Sequence, residues 1–404
     1  MTMAQTTSEL ESQLDYIRYS SNVIHAHSPG VGKLFDLAVS YVFDAETAAS
    51  DGKKTAWTFG LWESPLFYAC DTIPVSFSEL GRLGSIQTLS MAEDVYQLPV
   101  ETCSMIKATI GEWHLRLDGP IKRILGFSSV CEPYNIAWEL MKKAGFQVHN
   151  IDIIYRAPSC GPERYEETVH FFTEELRATA RWLSGRDVDP ERLRVELARR
   201  NELMGKVRRI IELRVRHPLH VQSLPMTFLI AGLGHYMGKP EEYEAAVDLI
   251  LQELEKTPHD VPDAQVVPLV WSGGRGQEFG VYKAVDDAGG AILGWVLPSL
   301  YAIDYDLEID PVEAMARYYL DGQAAGAAVY QRLAIEQQIA SIGAKGLLMY
   351  GYLGCSFAGV DREMFREYFH GRGIPALSIE GSFQVGPPTG QLLTRVKAFL
   401  EMLS

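Results

Sequence analysis

The chain is poor in cysteine: five in 404 residues, Cys70, Cys103, Cys131, Cys160 and Cys355, with no Cys-x-x-Cys pair among them. Thiols so few and so spread exclude a disulfide scaffold, and the missing pair withholds the usual zinc-site spacing. No apolar run approaches the roughly 18 residues that a membrane-spanning helix needs. The opening "MTMAQTTSELESQLDYIRYSSN" lacks a basic stretch followed by an apolar core, so no secretory leader is expected and the cytoplasm is the expected compartment. Positive charge is scarce too, 37 Lys and Arg against 52 Asp and Glu, a formal −15. That balance excludes broad attraction to nucleic acid or to an anionic membrane surface, and leaves any anionic ligand to a local pocket. A phosphate loop is also missing. "HAHSPGVGK" (25–33) has His27 where the pattern needs glycine and Leu34 where it needs Ser or Thr.

What is present is an ordinary globular composition, 47% hydrophobic and 22% charged, in a chain long enough for two or three domains. Residues 1–50 read as a helical N-terminal segment, with Leu34, Phe35, Leu37, Ala38 and Tyr41 at helix spacing. Short apolar runs then alternate with helices. "TAWTFGLW" (55–62), "IPVSF" (73–77), "IKRILGFSSV" (121–130) and "FQVHNIDII" (146–154) read as buried strands of a first α/β domain over 51–162. Residues 163–258 read as a helical middle segment, broken at "SGRDVDP", with Pro190 suited to a first helical turn. The strand–helix rhythm returns over 259–404 in "AQVVPLVW", "AILGWVL", "AKGLLMYGY" and "IPALSIEG", and a last helix is expected from Leu392 to Leu403. The expected fold class is therefore α/β, with two doubly wound parallel-sheet domains of similar build, a helical N-terminal arm and a helical middle segment. "TFGLWESP" and "WSGGRGQE" share a cadence that suggests a duplication, and ligands in such sheets gather at the carboxyl ends of the strands.

Three of the five thiols sit at those ends. In "AKGLLMYGYLGCSFAGVDREMF" (344–365) an apolar strand runs into Cys355 just before a helix; Cys131 follows "ILGFSSV" in the same way. Cys103, in "PVETCSMIKATIG", opens a helix after a Pro-containing loop. Helix N-termini favour thiolate. Three thiolates from separate loops point to zinc or an iron–sulfur cluster, yet no histidine offers an evident fourth ligand, and inert buried cysteine fits the same spacing. Two other features stay open on residues alone. Ser28, ahead of Pro29, suits a helix cap as well as a place in the cleft with His25 and His27. "GGRGQEFG" (273–280) has the wrong spacing for a dinucleotide fingerprint and reads as a tight turn at the sheet edge, whose amides could face a ligand.

Five segments, in order, resemble the 2-hydroxyacyl-CoA dehydratase family, which also contains the substrate-binding subunits of benzoyl-CoA reductase. They are "FGLWESPLFYACDTIPV", "PVETCSMIKATIG", "CEPYNIAWELMKKAGFQVHNIDI", "FFTEELRATARWLSGRDVDPERLRVELARRNELM" and "GCSFAGVDREMFREYFHGRGIPALSIEG" with the closing "LLTRVKAFLEML". The resemblance implies one [4Fe–4S] cluster held by Cys103, Cys131 and Cys355, with Cys70 and Cys160 as plain thiols. It implies an oxygen-sensitive lyase that acts on an acyl-CoA. An ATP-dependent iron–sulfur activator delivers one electron, and a ketyl radical then loses the 2-hydroxyl group as water. It implies, too, a related partner subunit in a homo- or heterodimer. Pro65 stands where the family usually has Glu; the nearby carboxylate is Glu63, expected either as a proton carrier or as a solvated loop residue. Ser28 matches a region of the family near the acyl pocket. Glu380 and Arg395 match C-terminal positions expected to be structural. Three alternatives accompany the leading reading: an aromatic acyl-CoA reductase subunit, a cluster-bearing accessory subunit without turnover, and a metal-free bilobed binder.

Overall fold

The computed structural model describes residues 28–404, apart from positions 61, 78, 80–85, 129–130, 158, 259–264, 277, 297–302, 323–326 and 384–387. His25 and His27 lie outside the described residues. The first half runs α1 (Pro29–Ser50), β1 (Lys54–Thr58), α2 (Ser64–Ala69), β2 (Thr72–Ser76), α3 (Ile86–Tyr96), α4 (Ser104–Leu115), β3 (Arg123–Ser128), α5 (Glu132–Lys143) and β4 (Gln147–Asp152). Four helices follow in succession, α6 (Pro162–Ser184), α7 (Pro190–Arg214), α8 (Ser223–Gly232) and α9 (Pro240–Lys256), with a 3-10 turn at Tyr236–Gly238. The second half is β5 (Val267–Gly273), α10 (Gly280–Asp287), β6 (Gly290–Val296), α11 (Pro311–Asp321), α12 (Ala328–Ile342), β7 (Gly346–Tyr352), α13 (Ser356–His370), β8 (Ala376–Gly381) and α14 (Gly390–Leu403).

All eight expected strands form, in two four-stranded parallel sheets of the same order, β2-β1-β3-β4 and β6-β5-β7-β8. Helices surround both sheets, which makes the chain α/β. The strand order reverses between β1 and β3 in one sheet and between β5 and β7 in the other, and the loops at those points leave the carboxyl edge in opposite directions. Strands covered on both faces carry near-continuous apolar residues, and every residue of β6 is buried.

Local sequence explains the helix ends. Ser28 caps α1 by accepting from Val31 N at 3.1 Å, with Pro29 in the first turn. Asp189 caps α7 by accepting from the Glu191 and Arg192 amides, so Pro190 opens that helix as expected. One continuous core joins Trp57, Trp113 and Trp138 around the first sheet to Trp271 and Trp295 around the second, with α1, α8 and α9 between.

The sequence reading assigned no element to 298–343, yet α11 and α12 fill much of that range. Helix α11 packs on α6 and α7 of the middle segment, held by Arg317–Glu166 (2.6 Å), and Tyr305, which stacks on Tyr318 of α11, donates through its Oη to Trp62 O in the β1–α2 loop (2.9 Å). Its apolar stripe, Val312, Met315, Tyr319 and Leu320, is buried with Phe172 and Leu176 of α6. Among the described residues no helix is long and apolar enough to cross a membrane.

Candidate functional site: thiols at three helix N-termini

The three thiols stand at N-cap positions, Cys103 of α4, Cys131 of α5 and Cys355 of α13, and the Cys355 sulfur accepts from Ala358 N. Cys103 follows helix α3 and a turn, not a strand end as expected. Cys131 and Cys355 follow β3 and β7, the counterpart third strands of the two sheets. Backbone hydrogen bonds tie the loops together. Ser104 N donates to Leu353 O at 2.9 Å, Leu353 N to Gly381 O at 2.8 Å, and Phe383 N to Ser104 Oγ at 3.1 Å. Lys107 reaches back to Val100 O (2.7 Å) and Glu93 (2.6 Å), which holds the Pro99–Thr102 turn ahead of Cys103. Gly354 lies at φ +77, and a Cβ on it would stand 2.5 Å from Glu101 O. Only glycine lets the Cys355 loop close this tightly on the Cys103 loop.

The structure sets Cys103 against Cys355, and Cys131 lies where it feels the charge of Cys355. Cys103 and Cys355 face each other at hydrogen-bond range, and that contact, with burial, pushes the Cys103 thiol far up. Cys131 is raised mainly by burial, and a charge on Cys355 opposes its ionisation as well. The helix N-termini alone pointed to thiolate; burial and mutual repulsion outweigh them in the metal-free chain. Among the described residues no group of three His, Cys, Asp or Glu is placed to hold one metal ion. A cubane takes one thiolate on each of several irons, so it needs soft donors spread around it rather than crowded on one ion. Thiols raised by burial, and in the Cys103–Cys355 pair by each other, on three separate helix N-termini, fit such a group. In the metal-free chain at pH 7, Cys103 and Cys131 are therefore expected to react with iodoacetamide at least about tenfold more slowly than an unperturbed thiol. Mass spectrometry of timed alkylation checks this, and fast labelling of Cys103 would contradict it.

Beside the thiols lies a buried polar cluster that sequence reasoning missed. Tyr352, at the end of β7, feels both Cys103 and Cys355; burial pushes its hydroxyl up to about 12 against the pull of Arg275 and the Gly276 amide. Arg275, in the turn after β5, pairs with Glu79 after β2 at 2.8 Å, and His235 Nε2 lies 3.4 Å from the other Glu79 oxygen. All three side chains are buried, at 8%, 3% and 0% exposure. Burial would raise the Glu79 carboxyl, but Arg275 and His235 overcome it and hold it at about 2. His235 Nδ1 accepts from Met237 N at 3.1 Å, which leaves the ring proton on Nε2 facing Glu79. The ring stacks on Tyr41 with centroids 4.6 Å apart. Tyr236 and Met237 after it adopt φ near +50, a left-handed conformation that costs non-glycine residues energy and is kept where packing imposes it. The triad thus joins the first sheet, the middle segment and the second sheet. Arg275 sits inside the "GGRG" already marked as a sheet-edge turn; Glu79 and His235 carried no readable signal.

The remaining candidates have definite places. Glu63 is fully buried, which corrects its reading as a solvated loop residue. Its carboxylate accepts from Thr58 Oγ1 (2.5 Å), Gly60 N (2.5 Å) and Trp62 N (2.9 Å), and so organises the β1–α2 loop. Ser28 caps α1 and donates to Glu253 at 2.5 Å, and Glu253 also meets His220 at 3.2 Å; these contacts tie α1 to α9. Cys70 is buried and raised to about 11 by that burial, while Cys160 is half-buried. Glu380 pairs with Arg362 at 3.2 Å and Arg395 donates to Ser378 O at 2.7 Å, both bracing the second sheet.

Two matched parallel sheets, tied at their carboxyl edges by the buried Glu79–Arg275–His235 cluster beside Cys103 and Cys355, define an α/β protein of two similar halves. The chain belongs to the family described as 2-hydroxyglutaryl-CoA dehydratase, D-component, whose family model matches residues 63–403. It is therefore a component of the 2-hydroxyacyl-CoA dehydratase type, a class that works on acyl-CoA together with partner components. No curated protein matches the chain.

Proposed function

We propose that the chain is an iron–sulfur subunit of a 2-hydroxyacyl-CoA dehydratase-type enzyme, with Cys103, Cys131 and Cys355 each giving one thiolate to a [4Fe–4S] cluster. The observation that supports this reading is the contact of Cys103 with Cys355 across the two halves of the chain, with Cys131 within reach of the Cys355 charge, in a member of this family. When bound, the cluster would supply a Lewis-acidic iron and one-electron chemistry for the ketyl-radical loss of water from the thioester. The chain's own residues hold the site. Ser104, Leu353 and Gly354 clamp the Cys103 and Cys355 loops, and the Glu79–Arg275–His235 triad ties the two edges together. A related partner subunit and an ATP-dependent iron–sulfur activator complete the proposal.

One observation favours a second reading, a cluster-bearing accessory subunit. Pro65 replaces the usual Glu, and the nearby Glu63 is engaged by three donors in its own loop. The test is anaerobic turnover of 2-hydroxyglutaryl-CoA by the protein with its partner, activator and ATP, beside benzoyl-CoA. Loss of water supports the leading reading. Tight thioester binding without turnover favours the accessory subunit, and ring reduction favours the aromatic branch.

A further inference from the structure

Arg200, on α7, is only 1% exposed, yet its Nε and Nη2 have no hydrogen bond among the described residues. Those two nitrogens form one edge of the guanidinium. Their N–H bonds point the same way and make a fork for a single acceptor or for a carboxylate. The groups that face Arg200 are four tyrosines, Tyr236, Tyr243, Tyr305 and Tyr318, and no carboxylate. A buried cation with an empty fork and no counter-charge is costly to a fold. It marks a place where something outside the chain completes the bonding.

Other arginines with mostly buried side chains are provided for. Arg116 pairs with Glu46 at 2.6 Å and Glu112 at 2.5 Å, and Arg275 pairs with Glu79 at 2.8 Å. Arg214 donates to the Val221 and Ile292 carbonyls. The carboxylates that could have served Arg200 are engaged elsewhere. Glu196, one turn earlier on α7, pairs with Arg199 at 3.5 Å, and Glu63 is held by three donors of its own loop.

The tyrosine walls are fixed. Asn201, next along α7, donates to Tyr305 O at 2.9 Å and accepts from Tyr305 N at 2.8 Å. Tyr305 Oη donates to Trp62 O at 2.9 Å, and its ring stacks on Tyr318 with centroids 4.0 Å apart. Tyr243 Oη donates to Leu229 O at 2.5 Å, and Tyr236 stacks on Tyr68 at 5.3 Å. These rings come from the middle segment and from α11 with the stretch before it, so the fork lies where the two parts meet. One guanidinium balances one negative charge. A dianion there would leave a net charge buried and oxygens without donors, whereas a spherical monovalent ion asks for little beyond the fork.

We propose that Arg200 holds a small monovalent inorganic anion, of the size and charge of chloride, between the middle segment and α11. The ion accepts from Nε and Nη2 and neutralises the guanidinium. Its role is structural: it lets a cation stay buried at the junction of α7, α9 and α11. The site is independent of the cluster and of the dehydratase reading.

The test is thermal unfolding of the full chain in sodium chloride and in sodium gluconate of equal ionic strength, beside Arg200→Met. Gluconate is too large for the fork, so general screening by salt is the same in both. Wild type should unfold about 3 °C or more higher in chloride, because an ion that binds only the folded state stabilises it. Arg200→Met should unfold at the same temperature in both salts. In gluconate it should match or exceed wild type, since an apolar side chain of similar length leaves no charge to balance. A wild type indifferent to chloride overturns the proposal, and so does a chloride effect that persists in Arg200→Met. Wild-type crystals soaked in bromide judge the site even if the variant does not fold. An anomalous peak within hydrogen-bond reach of both Nε and Nη2 supports the proposal; water alone at the fork overturns it.

Discussion

Arg275→Met is expected to destabilise the protein by about 3–5 kcal/mol at pH 7, because it leaves the Glu79 carboxylate buried without its cation. The effect should depend on pH in a defined direction. Glu79 is held at about 2, below its ordinary 4.5, by Arg275 and His235 against the opposing effect of burial. A depressed carboxyl stabilises the folded state above its unfolded value, and that contribution is lost as pH falls from about 4.5 towards 2. The variant cannot lose what it no longer has, so the gap between the two proteins should narrow across that window. Urea unfolding of both at pH 7 and pH 3.5 measures it. A gap below about 1 kcal/mol at pH 7, or one that widens in acid, would remove the triad as the link between the two sheets.

Gly354→Ala should strike the thiol site with comparable force. The left-handed backbone alone costs a residue with a Cβ roughly 1–2 kcal/mol. The added carbon also meets Glu101 O and the Thr102 backbone, which cannot rotate away as a side chain would. The Cys103 and Cys355 loops should therefore separate, and the variant should retain less than about a tenth of wild-type iron after anaerobic reconstitution. Gly359→Ala is the control. It lies in α13, and a Cβ there would meet nothing within 4 Å, so it should bind iron normally and gain up to about 1 kcal/mol of helix stability. Normal iron in Gly354→Ala would show that the two loops do not need their close contact.

Strands were the most legible part of this sequence. Runs such as "GLLMYGY" and "GAILGWV" are apolar on both faces, which only a covered parallel sheet requires, and all eight form. The helix start at Pro190 after Asp189 was equally plain, while Ser28 ahead of Pro29, open on residues alone, takes the cap. Helices α11 and α12 were not seen, because "PVEAMARYYLD" and "AVYQRLAIEQQIASI" follow a long connection and pack on partners distant in sequence. The thiols could be read from their places at strand ends. The polar cluster could not, since Glu79, His235 and Arg275 come from three separate segments and meet only through the fold. Glu63 and Glu278 show the limit most clearly. Matching positions in matching sheets receive different environments, one bonded by Thr58, Gly60 and Trp62, the other packed against Tyr350 and Gly381.

We propose that Cys103, Cys131 and Cys355 hold one cluster between the two halves of the chain. Iron and acid-labile sulfide per chain, in protein purified and reconstituted without oxygen, test it most directly beside a Cys355→Ser variant. About four of each in the parent, with most lost in the variant, is the predicted result. Near-zero iron in the parent, or undiminished iron in Cys355→Ser, would contradict it.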